Sequence, residues 1–183
     1  TVDRFDTPRS DWPAVVEQYH GIEDIFDHVE VCTAYDRRPS IAFNESDILV
    51  ATTWWTAHIV NQLLPQLRNK RFLYLIQEYE PFTFPMGSYY ALAHESYSFP
   101  HVALFSSETL RDYFRRMHYG VFARYDGLPN GVAFENAVLR FELDLDRPRK
   151  GPRKLLFYAR PEAHAARNMF EIGFTALERA IRE

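Results

Sequence analysis

The chain has 183 residues, 46% hydrophobic and 16% aromatic, enough to bury a sizeable core in one domain or in one domain plus part of a second. Its 21 lysines and arginines stand against 25 aspartates and glutamates, a net charge of -4 that argues against nucleic acid as a partner. One cysteine, Cys32, excludes an intrachain disulfide, no Cys/His spacing suggests a structural metal, and no apolar run approaches the ~20 residues that cross a bilayer. A cytoplasmic protein is expected, with any membrane contact peripheral and at the inner face. Thr1 to Arg4 does not begin a signal peptide.

Thr1 to Ser10 is polar and irregular and is expected to belong to a longer N-terminal region. Asp11-Trp12-Pro13 suits an N-cap and first helical turn, with Ala14, Val15 and Tyr19 as a short apolar face. Val29 to Ala34 reads as a strand, Asp36 to Pro39 as a turn, and Ile41-Ala42-Phe43 as a short run. Asp47 to Ala51 is a compact strand. Thr52-Thr53 then cap a helix with Ile59, Val60, Leu63, Leu64 and Leu67 on its apolar face, which Pro65 kinks or ends. Trp54 and Trp55 fall at the strand-to-helix turn, either filling core volume or lining a sugar cleft with a flat ring. His58 is expected to be a helix-surface or capping residue.

Phe72 to Ile76 has the continuous apolar character of a strand buried on both faces, and Gln77 to Glu80 place polar groups at its carboxyl end. Pro81 to Ser88 is a loop opening a helix toward Tyr97. Gly87 and Ser88 can offer backbone N–H groups to a phosphate, or Gly87 only permits the turn. Pro100-His101 begins a second buried strand through Phe105, with His101 in a structural role. Ser106-Ser107 cap a helix with Glu108 in its first turn and Leu110, Phe114 and Met117 on one stripe. Val121 to Arg124 reads as a strand, Leu128 to Val132 as a turn, and Ala133 to Leu145 as a connector. Asp146 to Arg153 is a solvated linker, after which Leu155 to Tyr158 opens a strand. A helix follows, with Met169, Phe170, Gly173, Phe174, Leu177 and Ile181 on its face. The pattern is α/β, with polar or glycine-bearing turns at the strand ends where open α/β sheets bind ligands.

Five motifs in this order carry a resemblance: Ala51-Thr52-Thr53-Trp54-Trp55-Thr56-Ala57, Gln77-Glu78-Tyr79-Glu80-Pro81, Ser106-Ser107-Glu108, Leu128-Pro129-Asn130-Gly131-Val132 and Leu155-Leu156-Phe157-Tyr158-Ala159-Arg160. Together with Pro85-Met86-Gly87-Ser88, the chain resembles retaining glycosyltransferases of the GT-B architecture, and among them bacterial rhamnosyltransferases that build surface glycans. The resemblance implies a Rossmann-like acceptor-binding domain over residues 1–145, a linker at 146–153, and the truncated start of a nucleotide-sugar domain at 154–183. It also implies a dTDP-L-rhamnose donor, a surface-polysaccharide or lipid-linked glycan acceptor, and no cofactor.

By the same resemblance Glu78 stands where relatives carry a His or Asp facing both sugars, and is the catalytic candidate. Trp54, Trp55 and Glu80 are acceptor-side candidates, while Gly87, Ser88, Arg160 and Arg167 are donor-side candidates. Arg160 matches the arginine of the family's Gly-Arg signature. Arg167 falls where relatives carry a lysine followed by glycine, and here Asn168 follows instead. The family's Glu-x7-Glu motif is not reached by Glu183, so this fragment alone is expected to be inactive. A non-catalytic carbohydrate-binding or interaction module, or a nucleotide-sugar epimerase on the same scaffold, are the alternatives.

Overall fold

The computed structural model describes residues 12–17, 19–30, 42–123, 131–136, 151 and 155–182. Most of the expected strand Val29 to Ala34, the turn at Asp36 to Pro39, Leu128 to Asn130, and the connector and linker between Ala137 and Lys150 lie outside the described residues. The chain divides into two compact units, Thr1–Phe43 and Asn44–Glu183.

The first unit contributes two short helices, α1 (Trp12–Val16), with Pro13 in its first turn, and α2 (Ile25–His28). Asp24 and His28, one helical turn apart, meet at 3.1 Å. Val29 leaves α2 in extended conformation.

The second unit is built on four parallel strands in the order β1-β2-β3-β4: Val50–Ala51, Phe72–Ile76, His101–Phe105 and Gly131–Ala133. Helices α3 (Trp54–Leu63), α4 (Ser88–Ser96) and α5 (Glu108–Met117) are the crossovers. Right-handed crossovers that always step to the same side place all three helices on one face of the sheet. Burial follows from this. Phe72, Tyr74 and Ile76 of β2 and His101, Ala103 and Phe105 of β3 are buried, whereas Leu73, Leu75, Val102 and Leu104 on the opposite face are half-buried. The apolar runs therefore alternate in burial instead of being covered on both faces, because the helices line up on one side.

Local chemistry sets the helix boundaries. Thr53 and Thr56 form a reciprocal capping box at the start of α3, and Ser107 accepts from the Leu110 N–H at the start of α5. At Pro65 helix α3 tightens into a 3-10 turn, Leu64–Gln66. There the Lys70 ammonium donates to the carbonyls of Pro65 (3.0 Å) and Leu67 (2.5 Å). Val60, Leu64 and Leu67 are buried as expected, but Ile59 is exposed, because it lies on the side of α3 turned from the sheet. Met117 is likewise exposed, and Phe114 alone of its stripe is fully buried.

Three segments differ from expectation. Val121 and Phe122 close a 3-10 turn, Gly120–Phe122, because left-handed His118 (φ 55) and Gly120 (φ 57) reverse the chain after α5. Gly131 and Val132 are strand, not turn: a Cβ on Gly131 would stand 2.9 Å from Cε2 of Phe105, so glycine lets β4 close on β3. Leu155 to Tyr158 joins no sheet among the described residues, and with no neighbouring ladder its backbone stays outside regular pairing. Its Phe157 ring still stacks on Phe170 of helix α6 (Phe170–Arg182), at a point where a Cβ on Gly173 would come within 2.8 Å.

Candidate functional site

Parallel strands bring all their carboxyl ends to one edge, and there the turns after β1, β2 and β3 carry most of the polar residues singled out above. Helix α3 begins at this edge. Its first N–H, from Trp54, donates to Glu80 Oε2 at 2.6 Å, so an internal carboxylate fills the anion position of the helix N-terminus. The Tyr74 hydroxyl approaches the same oxygen at 3.3 Å and lies 3.0 Å from Ser96 Oγ, which itself donates to the Ala93 carbonyl. Burial drives the Glu80 carboxyl up to about 7; the Trp54 N–H and the Tyr74 hydroxyl oppose that rise and the Glu78 charge adds to it. Burial also raises the phenols of Tyr74 and Tyr97, which stay neutral donors.

The backbone that presents Glu78 is held from two places, the end of α4 and the end of β3. The Tyr97 hydroxyl, at the end of α4, accepts from the Glu80 N–H (3.1 Å) and donates to the Glu78 carbonyl (3.3 Å). Ser106 Oγ donates to the Gln77 carbonyl at 2.9 Å, and the Ser106 N–H donates to the Ile76 carbonyl at 3.0 Å. The Tyr79 side chain, which sequence reasoning took for part of a polar interruption, is buried and stacks between Tyr97 and Tyr119. From this fixed loop the Glu78 carboxylate meets Arg167 Nε at 2.7 Å, with both side chains about a third exposed. Arg167 sits on a kinked 3-10 segment, Ala163–Asn168, which packs against the 3-10 turn Glu80–Thr83 and anchors itself through fully buried Ala165.

Four of the expected site residues, Trp54, Glu78, Glu80 and Arg167, thus share one hydrogen-bonded and ionic network. Trp54 is half-buried, edge-on to Phe84 and His58, while Trp55 is the exposed ring of the pair. Gly87 is the exposed N-cap of α4 and lends no side-chain cap. Its backbone is extended (φ 165) and a Cβ there would meet only the Pro85 carbonyl oxygen at 3.9 Å, so neither strain nor space demands glycine. Ser88 is exposed beside it. Arg160 reaches Glu162 at 3.5 Å and hydrogen-bonds Tyr158.

His58 joins α3 to α4, its Nε2 3.0 Å from the Leu92 carbonyl and its ring edge-on to Phe99. His101 is buried with Nδ1 2.7 Å from the Phe99 carbonyl, and burial pushes its pKa down, so it is a neutral core residue. Among the described residues no group of three or more His, Cys, Asp or Glu is placed to hold a metal ion, and no helix is long and apolar enough to cross a membrane. Sequence reasoning missed Tyr97, Tyr74 and Ser96, and read Ser106 only as a helix cap. A tyrosine inside an apolar strand was the available signal, because a buried phenol needs a partner.

The four-stranded parallel α/β sheet is consistent with a Rossmann-like fold, with a carboxylate–guanidinium pair at its carboxyl edge. Residues 15–108, just over half of the chain, match the family described as WsaF, N-terminal domain, and the chain belongs to that family. It is also 32% identical over 139 residues to the O-antigen biosynthesis protein RfbC of Myxococcus xanthus. That match takes in 75% of this chain and 10% of the relative's length. The family match includes Trp54, Trp55, Glu78, Glu80, Gly87 and Ser88, and ends before Arg160 and Arg167.

Proposed function

We propose that this chain is the acceptor-side domain of a GT-B retaining glycosyltransferase of surface-glycan assembly, followed by the opening of its donor domain at residues 154–183. The observation that carries the reading is the Glu78–Arg167 pair at the carboxyl edge of β2, in a chain of the WsaF N-terminal family whose curated relative is named for O-antigen biosynthesis. Seating of Phe157 on Gly173 and its stacking on Phe170 tie residues 155–158 to α6, as the opening of such a domain would require. The donor is dTDP-L-rhamnose and the acceptor a surface polysaccharide or lipid-linked glycan, as the motif resemblance implies, with the work done at the cytoplasmic side of the membrane.

In this reaction the bond between the anomeric carbon and the diphosphate breaks, and the nucleoside diphosphate leaves with the electron pair. The acceptor oxygen bonds to the anomeric carbon and gives up its proton. Glu78 receives that proton or hydrogen-bonds the transferred sugar, and the buried hydroxyls of Tyr97 and Ser106 hold its backbone in place. Arg160 and Arg167 face the developing negative charge of the leaving group, for which guanidinium suits because its fork matches phosphate oxygens. Trp55 offers an exposed ring to the C–H face of an acceptor sugar.

The test is Glu78→Gln in the full-length enzyme supplied with dTDP-L-rhamnose and acceptor. Turnover should fall on the order of 10²-fold or more with no loss of donor affinity. Undiminished turnover would return Glu78 to a purely structural ion pair.

A further inference from the structure

We propose that the Glu78–Arg167 ion pair is an exchangeable latch: a diphosphate takes the Arg167 guanidinium from Glu78 and so releases the carboxylate for the acceptor. The inference rests on the reading of Glu78 as the acceptor-side carboxylate, and adds that the residue is withheld until the anionic half of the donor arrives.

Three observations carry it. The pair is direct, Nε to Oε2 at 2.7 Å, and joins a residue of the β2 edge to one on the segment that follows residue 154. Both side chains are about a third exposed, so water and a solute anion reach the contact without any unfolding. The two backbones are fixed independently, Glu78 by Tyr97 and Ser106, and Arg167 by the buried Ala165 two residues before it. Exchange then needs only side-chain rotation. A surface ion pair of this exposure holds its partners by a factor of about 5 at most. A diphosphate carries more charge than a carboxylate and can engage guanidinium through two oxygens, so it can win the competition.

The chemistry that follows is a relay of charge partners without any covalent step. Before the anion binds, the Glu78 charge is spent on Arg167. Afterwards Arg167 neutralises the diphosphate, and Glu78 is left next to Glu80, whose own carboxylate is committed to the Trp54 N–H.

The experiment titrates inorganic pyrophosphate into the 183-residue chain. It follows the Arg167 Nε–H and the Glu78 carboxyl carbon by NMR at constant ionic strength. Both resonances should move along one saturation curve, and Glu78→Gln should bind pyrophosphate about 3–5-fold more tightly, since the internal competitor is gone. In Arg167→Ala the Glu78 carbon should start at its released position and stop responding. The latch is overturned if Arg167 responds while Glu78 stays silent, if Glu78→Gln leaves the affinity unchanged, if Arg167 does not respond at all, or if chloride at equal ionic strength reproduces the shift. Failure of the underlying reading shows elsewhere: the full-length Glu78→Gln enzyme would turn over normally whatever the titration gives.

Discussion

Replacing Glu80 by glutamine tests the electrostatics of the site edge in a single pH series. The carboxyl is raised from its ordinary value of 4.5 to about 7, first by burial, so the folded chain holds a proton that the unfolded chain has already released. The contribution of this group is therefore fully present below pH 4.5 and is lost as pH rises through about 7. The shift corresponds to roughly 3 kcal/mol, and allowing for partial solvent access about 2 kcal/mol should be lost between pH 5 and pH 8. The geometry gives a reason for the proton. Protonated Glu80 can donate to Tyr74, which donates to Ser96, which donates to the Ala93 carbonyl, and every buried hydroxyl is then satisfied. Glutamine never ionises, and its side-chain oxygen still accepts from the Trp54 N–H, but that oxygen cannot also donate to Tyr74. Urea unfolding of both proteins from pH 4.5 to 8.5 should show the wild type losing about 2 kcal/mol more stability than the variant between pH 5 and pH 8. Parallel stability curves across the whole range would refute the argument.

Three further outcomes are expected. His101 is buried and neutral, with its pKa pushed below the ordinary 6.5, so stability should decline as pH falls beneath 6.5; His101→Phe should remove that acid-side slope in the pH dependence of the melting temperature. Gly131→Ala should cost about 1–3 kcal/mol by thermal denaturation, because the new methyl meets Phe105 at 2.9 Å, and Phe105→Leu in the same chain should recover part of the loss. In the full-length enzyme Arg160→Ala should weaken dTDP-L-rhamnose binding by about 1.5–3 kcal/mol at unchanged melting temperature, with Arg160→Lys recovering only part. Intact affinity together with a lower melting temperature would make Arg160 a structural residue.

Much of the scaffold was legible from local rules. Strands at Phe72 to Ile76 and His101 to Phe105, the caps at Thr53 and Ser107 and the break at Pro65 depend on neighbours within a few residues, so the sequence states them directly. What the sequence hides is direction. Nothing in Phe72-Leu73-Tyr74-Leu75-Ile76 tells that α3, α4 and α5 gather on one side, because that follows from strand order. Gly131 was mistaken for a turn glycine because its reason is a ring on another strand. The site shows the same split. The polar turn at the β2 edge, together with the family resemblance, pointed to Glu78 and Glu80, yet only the fold reveals that Glu80 is committed to α3 and that Arg167 returns to meet Glu78.

The strand order has a consequence for how the chain is made. Among the described strands each new one lies beside the strand synthesised just before it, and never has to insert between two that are already paired. A chain leaving the ribosome at ≈ 5–20 residues/s can thus extend its sheet in one direction as it emerges, with every new strand templated by a finished edge. A product that ends after β4 keeps the β2 edge with Glu78 and Glu80 and lacks the later segment that brings Arg167 to it.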